Sequence, residues 1–312
     1  MVEGQQNAAS QSDDVFCSVL SRELGEPLFG TAVHNEVWFL LEYDAAWREK
    51  ATSDNDLPAE VQSWLDEQVM ARMGRGRVQF IKRERARSKD ALTFYIAHAR
   101  EMAPKMWRFS LQEYGDLLQI DVAAVLAGDE AYDEYRHMEP LYLVCTNGRR
   151  DRCCALFGLE LYYSLRAVAG DRVWRTTHVG GHRFAANVLT FPDGTYYGRV
   201  QTGDVQDFYA RRERGEVAVD FLRGRSCYEE VVQAADYFLR RETGERRLHA
   251  FQLDTVWSPE TDEFYVTFRV ADAGTGHVVH LRREALALPG YSSCGQPRVE
   301  PVDVYRLVSV EK

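Results

Sequence analysis

Two short segments of this chain hold residue types that bind metal or carry out redox chemistry at close spacing. Residues 145–154 read Cys-Thr-Asn-Gly-Arg-Arg-Asp-Arg-Cys-Cys, and residues 178–182 read His-Val-Gly-Gly-His. Thiolate is the form of cysteine that binds metal. A thiol at the start of a helix and beside Arg149, Arg150 and Arg152 has its ionisation favoured. Neighbouring positions on a helix point about 100° apart. Cys153 and Cys154 therefore do not face one centre, and Cys145 with Cys154 is the expected pair, Cys153 being a packing residue. His178 and His182 are four apart, a spacing that shares a helix face. Gly180 and Gly181 between them would each cost a helix about 1 kcal/mol, so a tight loop is expected, and glycine gives such a loop positive φ and close approach. Two cysteines and two histidines leave three chemistries open: a structural zinc, a [2Fe–2S] cluster with two thiolates on one iron and two imidazoles on the other, or a metal-free thiol site. Neither cysteine spacing is that of an ordinary zinc finger. The metal-free reading would use Cys153 and Cys154, which are adjacent rather than Cys-x-x-Cys.

Short elements must bring these segments together. Leu141 to Cys145 reads as a strand, the run from Cys153 as a helix stopped by Gly170, and Val173 to Val179 as a strand running into the histidine loop. Ala186 to Phe191 and Thr195 to Val200 flank Pro192-Asp193-Gly194, a strong hairpin signal. A helix from Val205 closes the unit. The resulting β-α-β-β-β-α order over 139–223 fits a thioredoxin-like layer. Residues 15–138 read as an N-terminal α/β domain: strands at 37–43, 77–82, 92–98 and 106–111, and a helix opened by Pro58 and broken by Gly74 and Gly76. Residues 224–312 read as a small C-terminal α+β appendage, with a helix at 228–241 and strands near 251–257, 263–270, 276–282 and 303–310. Residues 1–14 read as a disordered polar tail. No internal repeat is visible. The fold class is α/β (α+β).

The 312 residues are 45% hydrophobic and 12% aromatic, enough for a sizeable core. With 48 acidic and 38 basic side chains the net charge is -10, which argues against general binding to nucleic acid or anionic membrane. No run approaches the roughly 18–20 apolar residues of a membrane helix. The opening MVEGQQNAASQSDD lacks an apolar signal core. A cytoplasmic location follows as the expectation, where thiols stay reduced and clustered cysteines favour metal or redox roles. Cys17, Cys227 and Cys294 are isolated in sequence and read as ordinary thiols. His277 and His280 should not share a strand face, and Tyr196 and Tyr197 read as packing.

The strings CTNGRRDRCC, HVGGHRFAANV and PDGTYYGRV resemble the sucrase/ferredoxin-like family of thioredoxin-like ferredoxins. Its pattern has a Cys, a Gly, an Arg-Asp pair and a second Cys three residues after the Asp, then His-x-Gly-Gly-His, Phe-Ala-x-Asn and Tyr-Gly-Arg. On this chain those positions fall on Cys145, Gly148, Arg150-Asp151, Cys154, His178, Gly180, Gly181, His182, Phe184, Asn187 and Tyr197-Gly198-Arg199. The resemblance is close over about 140–200. It implies a [2Fe–2S] cluster on Cys145, Cys154, His178 and His182, with Arg149, Arg150, Asp151, Gly180, Gly181, Arg183 and Asn187 around it. It also implies a one-electron carrier rather than an enzyme with its own substrate. Neutral imidazoles make a cluster less negative. The potential should fall on the Rieske side, about -150 to +300 mV, rather than near the -400 mV of plant-type clusters. Linked proton uptake through an imidazole is expected with it. Arg199, Arg211, Arg212 and Arg214, with the arginine-rich loop, read either as a basic rim where a redox partner such as a flavoprotein reductase docks or, since Glu213 and Glu216 alternate with them, as an ordinary helix surface.

Overall fold

The computed structural model describes residues 16–84, 91–271 and 274–312; the tail expected over 1–14 lies outside the described residues. Helix α1 (Cys17–Glu23) precedes β1 (Val37–Glu42), α2 (Ala59–Met70), β2 (Gly76–Lys82), β3 (Leu92–His98), β4 (Lys105–Leu111) and the short α3 (Val122–Ala127). Then come β5 (Leu141–Cys145), α4 (Arg152–Ala169), β6 (Val173–Thr176), β7 (Val188–Phe191), β8 (Thr195–Tyr197), α5 (Val205–Glu213) and β9 (Leu222–Arg225). The chain ends with α6 (Glu230–Thr243), β10 (Phe251–Glu260), β11 (Glu263–Val270), β12 (Gly276–Leu286), the hairpin β13 (Tyr291–Ser293) and β14 (Gln296–Pro297), and β15 (Val302–Glu311). Among the described residues no helix is long and apolar enough to cross a membrane.

Strands β1 to β9 form one sheet in the order β4-β3-β1-β2-β6-β5-β7-β8-β9. Within it β5 runs parallel to β6, antiparallel to β7, and β7 antiparallel to β8. With α4 between β5 and β6 and α5 after β8, this is the β-α-β-β-β-α thioredoxin-like unit that periodicity and turn residues predict. The first half follows the same plan: β1 parallel to β2 across α2, β1 antiparallel to β3, β3 antiparallel to β4. A repeat of topology is thus present without a repeat of sequence. The two units join through a short antiparallel contact of β2 with β6, where Ile81 faces Thr176 and Lys82 faces Arg175. The boundary expected at 138/139 lies between units of one continuous sheet.

Strand alternation sorts the apolar residues between two faces. Trp38, Leu40, Ile81, Leu143, Trp174, Leu189 and Tyr196 belong to a core that spans both units, and Cys145 and Cys154 lie in it. On the other face, α2 places Val61 and Leu65 on Phe39 and Phe80, while α4 and α5 place Leu161, Leu165 and Phe208 on Tyr142 and Val144. Tyr196 and Tyr197 are fully buried, as their packing role requires. A separate antiparallel sheet, β10-β11-β12-β15, packs on α6. There His277 is buried and His280 pairs with Glu263, on opposite faces as expected.

A candidate metal centre

The end of β5 and the start of α4 bring the cysteine pair together. Cys145 closes β5, and Asp151 caps α4 by accepting the Cys153 N–H at 2.8 Å. Such a cap contributes about 1 kcal/mol and fixes where the helix begins. Helix α4 comes so close to β5 that a Cβ at Gly158 would lie 2.1 Å from the Cys145 carbonyl oxygen. The side-chain donors of Cys145, Cys154 and His178 lie within 4.8 Å of one another, and Cys154 Sγ is 3.8 Å from His178 Nδ1. Hydrogen bonds, first from the Cys154 thiol and then from His178, draw Cys145 well below the usual thiol range despite its burial. The same bond, and then burial, push Cys154 up.

After β6 the histidine loop is a loop and not a helix. Gly180 and Gly181 have φ of 94° and 69°, where a side chain would be strained. The rings of His178 and His182 stand 5.1 Å apart, tilted by 30°. His182 donates Nε2–H to the carbonyl of Ser292 in the β13–β14 hairpin, so its hydrogen is fixed there. Nδ1 is buried and has no hydrogen-bond partner. Burial holds His182 below its ordinary pKa, against the nearby Asp151 carboxylate, so the neutral ring presents a free lone pair at Nδ1. One ring nitrogen hydrogen-bonded and the other unpartnered is how ligating imidazoles are oriented, but His182 does not join the donors gathered by Cys145, Cys154 and His178; its Nδ1 lies 3.7 Å from Asp151 Oδ2.

The loop is held by groups around it. Asn187 donates to the Gly181 carbonyl at 2.9 Å and accepts from Arg223 at 2.9 Å. Arg223 is itself 1% exposed and donates also to the Gly180 carbonyl at 2.9 Å and to Thr31. Burial among these neutral acceptors brings its guanidinium down to about 10. Arg223 carries no signal in the sequence; in the structure loop and guanidinium fit closely, since a Cβ at Gly181 would meet its Nη2 at 2.5 Å.

The other expected neighbours divide. Asp151 is 5% exposed, and its Oδ2 lies 3.7 Å from His182 Nδ1. Burial would raise its pKa, but the N–H of Cys294, the nearby His182 and the N–H of Cys153 hold it below the usual carboxylate range. Arg149 and Arg150 line an open cleft that leads to His182, with Arg150 paired to Glu49 at 2.6 Å. Arg183 pairs instead with the buried Glu26 at 2.7 Å. The basic rim is not formed as expected. Arg211, Arg212 and Arg214 pair with Asp207, Asp193 and Glu216, and Arg199 donates to Ser21 and the Glu26 carbonyl. The reading of Cys17 and Cys294 as isolated thiols is also corrected. Both meet Cys153, on the side of α4 away from Cys154, because α1 and the C-terminal hairpin converge there.

A model of the sucrase/ferredoxin-like family matches residues 28–224. The chain belongs to that family, and the matched span coincides with the nine-stranded sheet rather than with the motif region alone. It is 29% identical over 152 residues to altered inheritance of mitochondria protein 32 from the yeast Meyerozyma guilliermondii, a match covering 45% of this chain and 52% of that protein. The chain thus spans about half the length of that relative. Two cysteine-to-serine variants of the thioredoxin-like [2Fe-2S] ferredoxin from Aquifex aeolicus align with 27% of this chain and 97% of theirs, at 19% and 18% identity and TM-scores of 0.24 and 0.25.

Proposed function

We propose that this chain is a one-electron carrier with a [2Fe–2S] cluster bound by Cys145, Cys154, His178 and His182. The observation that carries the reading is the donor set itself: two buried thiols and His178 in one small cage, with the buried, unpartnered Nδ1 of His182 on the same loop. When bound, such a cluster supplies one reversible electron at a potential raised by its imidazole ligands. The protein's own share is positional. Arg223 and Asn187 fix the glycine loop, Ser292 fixes the His182 tautomer, and Gly158 lets α4 close on the Cys145 strand end. The buried guanidinium of Arg223 adds positive charge beside the thiolates, which favours electron uptake.

The partner in this reading is a redox protein, such as a flavoprotein reductase, approaching the cleft of Arg149 and Arg150 over His182. The arginines of α5 do not line that cleft and are left out of it. The compartment is the cytosol, where reduced thiols persist.

Visible absorption, EPR, iron and acid-labile sulfide of the anaerobically purified chain test the proposal. A red-brown protein whose reduced form has a Rieske-like average g, moving toward ferredoxin values in His178→Cys and His182→Cys, is expected. A colourless protein holding zinc on these four residues, or no metal after reconstitution, would sink it.

A further inference from the structure

Behind the candidate cluster cage lies a second group of metal-binding side chains that the first does not use. Cys17 enters from α1, Cys153 from the first turn of α4, and Cys294 from the β13–β14 turn. Their sulfurs form a triangle with sides of 3.6 Å (Cys17–Cys153), 3.3 Å (Cys153–Cys294) and 3.7 Å (Cys294–Cys17). Asp151 Oδ1 caps the triangle, 3.2 Å from Cys294 Sγ and 3.8 Å from Cys17 Sγ. All four donors lie within 4.8 Å of one another. Cys17 and Cys153 are 1% and 0% exposed.

We infer that Cys17, Cys153, Cys294 and Asp151 form a mononuclear zinc site, distinct from the cluster ligands.

The dimensions argue for an ion. Zinc takes four ligands tetrahedrally, with sulfur at about 2.3 Å and carboxylate oxygen at about 2.0–2.2 Å. Tetrahedral edges are then roughly 3.8 Å between sulfurs and roughly 3.5 Å between sulfur and oxygen. The three sulfur edges, 3.3–3.7 Å, and the oxygen edges to Cys294 and Cys17, 3.2 and 3.8 Å, lie within about 0.5 Å of those lengths. A disulfide needs sulfurs at about 2.05 Å and joins only two of them, which would leave a third buried thiol beside a carboxylate. The surroundings suit thiolates. Ser18 Oγ donates to Cys153 Sγ at 3.2 Å, and the Asp151 carboxylate is oriented by the N–H groups of Cys153 and Cys294 at 2.8 and 2.9 Å. Binding holds all three sulfurs as thiolates, the protons they still carry going to solvent, and leaves the zinc four-coordinate.

The site would tie three distant pieces of chain into one knot. Cys17 lies 136 residues from Cys153 and 277 from Cys294. The hairpin it fastens is the one whose Ser292 carbonyl holds His182. Zinc here is a clamp that seats the C-terminal hairpin over the second histidine.

Zinc and iron counted separately on the full-length chain test this. The protein is purified anaerobically, exposed to zinc alone and desalted. We expect one tightly held zinc per chain beside the iron. Cys294→Ser, whose side chain is only half-buried, should lose the zinc and keep the iron. Cys145→Ser should lose the iron and keep the zinc. X-ray absorption at the zinc edge of the wild-type protein should give three sulfurs and one oxygen, and this reading holds even where a variant folds poorly. Wild-type protein that retains no zinc, or a zinc with two sulfurs and two nitrogens, would overturn the site. So would a zinc lost in Cys145→Ser and kept in Cys294→Ser. Those last two results would move zinc to the cluster ligands, and so also count against the electron carrier. Absence of zinc alone would leave the carrier standing.

Discussion

The first unit of the sheet, β1 to β4, and the second, β5 to β8, share strand order and direction but differ in what stands where the chain turns from strand to helix. The second has Cys145 as the last residue of its first strand and Cys154 as the third residue of its helix. The first has Glu42 and Val61 at those places. Glu42 is fully buried and accepts the Thr93 N–H at 2.9 Å. Val61 is core. The same frame therefore serves stability in one unit and a donor cage in the other, and the function resides in the grafted residues rather than in the fold. The sharpest break of the comparison is the pair Cys154→Ser and Glu42→Gln. The first should abolish iron binding. The second should retain the full iron content while lowering stability by about 1–3 kcal/mol, the cost of weakening a buried hydrogen bond. Iron per chain and urea midpoints read both, and equal iron loss would mean the units are not separable.

The helices extend the contrast. The seventh residue of α4 is Gly158, pressed on the Cys145 carbonyl; the seventh of α2 is Leu65, fully buried against its own sheet face. Gly158→Ala inserts one methyl where backbone already stands. It should cost about 1–3 kcal/mol by overpacking and greatly reduce cluster occupancy, since the strand end carrying Cys145 must shift. Leu65→Ala should cost more stability, about 2–5 kcal/mol, and leave the folded protein's iron content unchanged. A fully loaded Gly158→Ala protein would show that the close approach does not set the cage.

Strand β9 offers a finer version of the test, because it carries two buried arginines with different neutral partners. Arg223 binds the histidine loop, whereas Arg225 binds the Glu101 carbonyl and stacks over Tyr228. Replacing either by Gln should cost on the order of 2–3 kcal/mol in lost charged hydrogen bonds. Only Arg223→Gln should also lower the midpoint potential and alter the EPR signal. Matching spectra in the two variants would reduce Arg223 to a packing residue.

Much of this division was legible in the residues and some was not. Strands β1 to β8 and helices α2, α4 and α5 were read from periodicity and from Pro, Gly and Pro-Asp-Gly signals, because those elements bury whole faces. The strand end and the glycine loop do bring Cys145, Cys154 and His178 together, while His182 stands on the same loop outside that group. The zinc candidates were missed because Cys17 and Cys294 carry no spacing signal; they meet Cys153 only through long-range packing of α1 and a short hairpin. Arg223 was missed because burial of an arginine against carbonyls leaves no mark in one sequence. Of the two readings of the α5 arginines, the structure shows the paired helix surface, with Asp207, Asp193 and Glu216 as the partners. The repeated topology escaped since strand order is a property of pairing, not of local composition.

The smallest expected effect belongs to the first unit and asks whether it responds to pH independently of the cage. His98 closes β3, and burial first, then the Arg100 charge, bring its pKa down to about 4. Its Nε2 accepts from Arg100 Nε–H at 3.3 Å, an interaction that protonation removes. A histidine whose folded pKa lies below its unfolded value binds its proton more readily when unfolded. Its contribution to stability is therefore complete above about pH 6.5, falls as pH drops toward about 4, and is constant below that. Carboxylates begin to protonate near the lower end of that window, so the quantity to follow is the difference between wild type and His98→Gln rather than either curve alone. The wild-type thermal midpoint should lose ground to the variant's as pH falls from 6.5 to 4, while the iron content of the two stays the same throughout. Parallel curves would mean that His98 takes its proton in the folded chain, and that the first unit's rim is more open to water than its burial indicates.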